Sequence, residues 1–77
     1  MTLDDIWSAI TAEQVRARQL HGDYSVGGAC ADDPMRHLIL SEEVGEVATE
    51  VQTGDREALV EELVQVAAVA VAWLRVL

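Results

Sequence analysis

Lysine is missing from this chain of 77 residues, and its five basic residues, all arginines, stand against fourteen acidic ones for a net charge of −9. Binding to nucleic acid or to an anionic membrane needs basic surface to displace counterions, so neither partner is expected. Cysteine occurs once, at Cys30, which excludes an intrachain disulfide framework and suits a reducing, cytoplasmic setting. No basic stretch followed by an apolar run opens the chain, so no secretory signal is expected. Long hydrophobic runs are lacking too. The longest, Val66–Leu74, lies between Gln65 and Arg75, falls well short of the roughly 18 residues that span a bilayer, and reads as a buried helix. Aromatic residues make up only 4% of the chain, and Trp7 and Trp73 are read as core or interface groups.

Aliphatic surface, by contrast, is in excess. Hydrophobic residues make up 51% of the chain and the mean hydropathy is +0.16. A single domain of this length buries only about 60% of its unfolded surface. The surplus predicts a homo-oligomer, either dimer or tetramer.

Local punctuation predicts an all-α domain of three helices within residues 1–77. The first spans about 3–20, with Thr2 as N-cap and Asp4 and Asp5 in the first turn. Leu3, Ile6, Trp7, Ile10 and Val15 are taken as its apolar face. Residues 21–33 contain Gly22, Gly27 and Gly28 without periodicity and form a loop. His21 in that loop and His37 have no Cys/His cluster around them, so the bland reading of each is a surface residue. The second helix spans about 34–53, with Asp33 as N-cap and Pro34 at its first position, and stops at Gly54. The third runs over about 55–76. So short a connection forces helices two and three into an antiparallel hairpin.

On helix two, Leu40, Val44, Val47 and Val51 form an apolar stripe, with Ser41, Gly45 and Ala48 as small neighbours. Glu43, Glu46 and Glu50 share another stripe, with Glu42 at its edge. Like charges three and four residues apart repel by a few tenths of a kcal/mol per pair. A solvated acidic face is the plain meaning of such a run; a cation that uses the charge is the sharper one. Helix three carries Glu61, Glu62 and Gln65 and is then apolar on every side, a pattern that belongs to a helix enclosed all round. Two helices of one chain cannot enclose it. Burying a further 500–1,000 Å² would contribute on the order of 12–25 kcal/mol before entropy costs, and a four-helix-bundle core made from two hairpins is the simplest assembly. Glu43 and Glu46 lie about as far from the turn as Glu62 and Gln65, so the four face one another across the hairpin. Oxygen ligands alone favour Mg²⁺ or Mn²⁺.

At these residues the chain resembles the MazG-like, all-α nucleotide pyrophosphohydrolase superfamily. The signature of that family is ExxE, a spacer, then ExxD. Here Glu43-Val-Gly-Glu46 within SEEVGE matches the first half, and Glu62-Leu-Val-Gln65 within EELVQVAAVAVAW matches the second, with 15 residues between. The match covers about half the chain, and the first helix (EQVRARQLHGD) is similar in style to small phage- and cassette-type members. The resemblance implies Mg²⁺-dependent hydrolysis of nucleoside triphosphates to monophosphate and pyrophosphate. It makes Glu43, Glu46, Glu62 and Gln65 the metal ligands, and Glu42 or Glu46 the group that takes a proton from water. Arg16, Gln19, Arg36 and His37 become candidates for contacting the base or phosphates. The fourth motif position departs: Gln65 stands where the family has Asp, and an amide oxygen brings one charge fewer. That departure keeps open a competing reading, a catalytically weak or inactive helical oligomer that serves as a binding module.

Overall fold

The computed structural model describes residues 1–77 and contains three α-helices, with no strand. Helix α1 spans Leu3–His21, α2 spans Asp33–Thr53 and α3 spans Arg56–Val76. No helix is long and apolar enough to cross a membrane.

Each helix starts where a short polar side chain can satisfy its orphan N–H groups. Thr2 accepts from the Asp5 amide while Asp5 accepts from the Thr2 amide, a reciprocal box. Asp55 accepts from the Ala58 amide at 3.1 Å to open α3. Gly54, at φ 75°, is left-handed and closes α2 by donating to the Glu50 carbonyl, which permits the tight hairpin. At the start of α2 the expectation needs correction. The cap is Asp32, which accepts from the Met35 amide at 3.0 Å, and Asp33 is already helical. Asp33 is drawn instead into a tertiary contact, accepting the Trp73 indole N–H at 2.9 Å and Arg36 at 3.3 Å.

The connection between α1 and α2 is folded. It opens with a 3₁₀ turn at Gly22–Tyr24, and Cys30 donates back to the Asp23 carbonyl at 2.8 Å. The Arg36 guanidinium reaches over it, donating to the Val26 carbonyl at 2.7 Å and the Gly28 carbonyl at 3.4 Å. A Cβ on Gly28 would stand 2.2 Å from the Asp23 carbonyl oxygen, so only glycine lets the two backbones approach.

Helix α3 is the centre: α2 packs closely along one side of it and α1 along another, and α1 and α2 do not pack on each other. Ile10, Val26 and Ala68 form the buried core. Elsewhere on α3, Val66, Val69, Val71 and Trp73 are only half-buried, and Val60, Leu63 and Leu74 are exposed. The apolar stripe of α2 divides: Leu40 and Val47 are half-buried, whereas Val44 and Val51 face solvent. On α1, Leu3, Trp7 and Val15 are exposed, and the packed face runs through Ile10, Glu13, Gln14 and Ala17.

Candidate metal centre

Glu43 and Glu46, one turn apart on α2, meet Glu62 of α3 across the hairpin, each offering an oxygen that lies within 4.8 Å of the others. Two oxygens on opposite sides of one Mg²⁺, at about 2.1 Å each, stand about 4.2 Å apart, so this spacing suits a shared small cation after little adjustment. Glu43 and Glu62 are half-buried and Glu46 is exposed. No arginine or histidine pairs with any of the three; the ion pairs of the chain are Arg16–Glu13 and Arg36–Asp33.

Crowding without a counter-charge shows in the electrostatics. Glu62 has its carboxyl pushed up to about 7, first by desolvation and then by the nearby Glu46 and Glu43. Glu43 is also raised, by desolvation first and next by the charge of Glu46. The Oε2 atoms of Glu43 and Glu62 are fully enclosed and have no hydrogen-bond partner. Protonated, Glu62 can donate to a neighbouring carboxylate. Ionised, neither enclosed oxygen finds a donor, and that arrangement costs stability unless a cation supplies the missing charge.

Beside this cluster, where α1 and α2 diverge over α3, lies a cavity of about 480 Å³. Glu42, Glu43 and Gln65 line it, and so does Arg16. Arg16 donates from Nε and Nη2 to the two Glu13 carboxylate oxygens, and that hydrogen bonding, then the charge of Glu13 and last that of Glu43, holds its proton more tightly than usual. Gln65 is half-buried one turn beyond Glu62, on the cavity wall. Three other candidates lie elsewhere. Gln19 and His37 are exposed and do not line the cavity, and the Arg36 guanidinium is committed to the loop carbonyls and Asp33.

On α1 the sequence pointed to Arg16 and Gln19 but not to Glu13, Gln14, Arg18 or His21. Glu13 approaches closely enough for its charge to raise Glu43, and the Gln14 amide donates to the Ala68 carbonyl at 3.3 Å. Arg18 and His21 also line the cavity. A signal existed: counting by three and four from Ile10 leads through Glu13, Gln14, Ala17 and His21 along one face. Comparison with known proteins returns no match, whether to a family, to a curated protein or to a solved structure.

Proposed function

We propose that this chain is a MazG-like nucleotide pyrophosphohydrolase that binds Mg²⁺ (or Mn²⁺) and cleaves a nucleoside triphosphate to monophosphate and pyrophosphate. The observation that carries this reading is the trio Glu43, Glu46 and Glu62: three carboxylates on facing helices, two with enclosed and unpartnered oxygens, beside a cavity of about 480 Å³. That volume falls in the range of small-molecule sites. Carboxylates projecting inward from paired helices are how helical bundles hold divalent ions.

Glu43, Glu46 and Glu62 would hold the ion, with the Gln65 amide oxygen as a neutral fourth ligand. Bound there, Mg²⁺ supplies charge neutralisation on the phosphate oxygens and a more acidic water. Glu42, exposed on the cavity wall, would serve as the base that takes a proton, with Glu46 as the alternative. Arg16 sits where it can meet the phosphates, in exchange for its hold on Glu13.

The same reading includes a homo-oligomer with a four-helix-bundle core, because Val44, Val51 and Leu74 are left exposed by the single chain. It places the protein in the cytoplasm, where its substrates and magnesium are. One observation favours the non-catalytic alternative: Gln65 brings no charge to the centre.

A panel of NTPs and dNTPs with Mg²⁺ or Mn²⁺, followed by pyrophosphate release, separates the two. Turnover abolished by Glu43→Gln and by Glu62→Gln is the expected result, and Gln65→Asp should tighten metal binding several-fold. No turnover across the panel, with no metal-dependent rise in thermal stability, would leave the binding module in possession of the field.

A further inference from the structure

The cavity has two chemically opposite ends. Glu42, Glu43 and Gln65 line one; Arg18 and His21, from the last turn of α1, and Arg75, from the last turn of α3, line the other. The hydrogen bond from Gln14 to Ala68, together with a shared cavity wall that takes in Arg18 and His21 of α1 and Ala72 and Arg75 of α3, sets the two helices side by side in the same direction, so their C-terminal turns come together. Eight residues of helix separate Glu13 from His21 and ten separate Gln65 from Arg75, about 12 Å and about 15 Å of axial rise. An arginine side chain covers a good part of that distance.

Placement near helix C-termini is favourable for cations in itself. It does not explain why three basic side chains line one end of a cavity and pair with none of the carboxylates, Glu13, Glu42 and Glu43, that line the rest of it. Arg18, His21 and Arg75 take part in no ion pair, in a chain where fourteen acidic residues compete for five arginines. The arginines that do pair, Arg16 and Arg36, take carboxylates one turn away in their own helices. Unpaired guanidinium groups facing a shared cavity present a fork suited to phosphate oxygens.

We propose that Arg18, His21 and Arg75 form an oxyanion subsite that receives the terminal phosphate of a polyphosphate chain whose scissile part lies at the carboxylate end. The subsite selects triphosphates over monophosphates and holds the departing pyrophosphate. It rests on the reading of Glu43, Glu46 and Glu62 as the metal–phosphate centre, and its test is arranged to fail separately.

The full chain carrying Glu62→Gln, which removes one repelling charge and disables the metal centre, is titrated calorimetrically with inorganic pyrophosphate in EDTA. Binding that weakens as salt rises is expected, and adding Arg18→Gln and Arg75→Gln should weaken it at least tenfold, while Arg18→Lys and Arg75→Lys retain part of it. The thermal shift that Mn²⁺ gives the wild-type chain should survive Arg18→Gln and Arg75→Gln. Absence of pyrophosphate binding by the Glu62→Gln chain, or binding indifferent to both arginines, overturns the subsite. Competition by an unphosphorylated nucleoside would put the base at this end and overturn it equally. Loss of the Mn²⁺ shift in the wild-type chain, with arginine-dependent pyrophosphate binding intact, would remove the metal centre and leave the subsite standing.

Discussion

Glu62 is the residue whose energetics speak most directly. Its carboxyl, raised to about 7, binds a proton more tightly in the folded chain than in the unfolded one, where the ordinary value is 4.5. Between those two values the native state holds more protons, so stability must fall as pH rises. Without metal, the melting temperature should therefore decline from about pH 4.5 to about pH 7 and level off above. Glu62→Gln should remove most of that slope. At pH 8 in EDTA it should raise stability by about 1 kcal/mol, discounted for partial solvation of the cluster, or about 4–8 °C in Tm. Mg²⁺ should stabilise the wild-type chain more at pH 8 than at pH 5, because a proton and a cation compete for the same oxygens. Thermal melts across pH, with and without Mg²⁺, check all of this; an apo stability that climbs between pH 5 and 7 would show that the carboxylates do not crowd one another. A group that weakens the fold in the absence of a ligand is ordinary for a site and unusual for a solvated acidic face.

At the scale of elements, what is local is legible and what is tertiary is not. Thr2, Gly54 and Asp55 announce their helix ends because capping chemistry needs only neighbours a few residues away. Asp32 and Asp33 are chemically equal as caps before Pro34, and the choice between them is made by Trp73, forty residues later, which draws Asp33 to itself. The hairpin carboxylates could be foreseen because a tight turn fixes register between α2 and α3, so equal distance from Gly54 means facing positions. No such rule ties α1 to the hairpin. Its place depends on the folded loop and on its packing against α3, so periodicity can put Glu13 and His21 on one face of α1 but cannot say that this face meets the hairpin. The loop itself rests on Gly28 and Arg36. Gly28→Ala forces a Cβ against the Asp23 carbonyl and should cost about 1–3 kcal/mol, whereas Gly27→Ala meets only Ala72 at an ordinary 3.8 Å and should be tolerated. Denaturant midpoints of the two variants test this directly; indistinguishable midpoints would mean that the loop does not hold α1 in place. The Mg²⁺-dependent shift should persist in Gly28→Ala, since its ligands belong to the hairpin.

Taken whole, the molecule is looser than its length warrants. A compact monomer of this mass exposes about 4,600 Å², whereas this chain exposes 5317 Å². Its radius of gyration is 12.5 Å, against about 11.5 Å for a compact domain of the same length. The surplus, roughly 700 Å², approaches the ~800 Å² that each partner buries in a standard protein interface. Part of that surface is apolar. Leu40, Ala70, Trp73, Leu74 and Leu77 form one apolar concavity at the open end of the hairpin, with Leu74 70% and Leu77 78% exposed. Two such hairpins back to back would enclose α3 on the sides that α1 and α2 leave bare, which answers the all-round apolar character of Val66–Leu74. Leu74→Asp would place a charge in that interface while disturbing nothing buried in the single chain. Light scattering should then give a multiple of the chain mass for the wild type, whose melting temperature rises with concentration, and a smaller, less stable species for Leu74→Asp, whose melting loses that dependence. A wild-type chain that runs as a stable monomer at micromolar concentration would contradict the assembly. The carboxylate centre would survive that result, because Glu43, Glu46 and Glu62 come from one hairpin and need no second copy to converge.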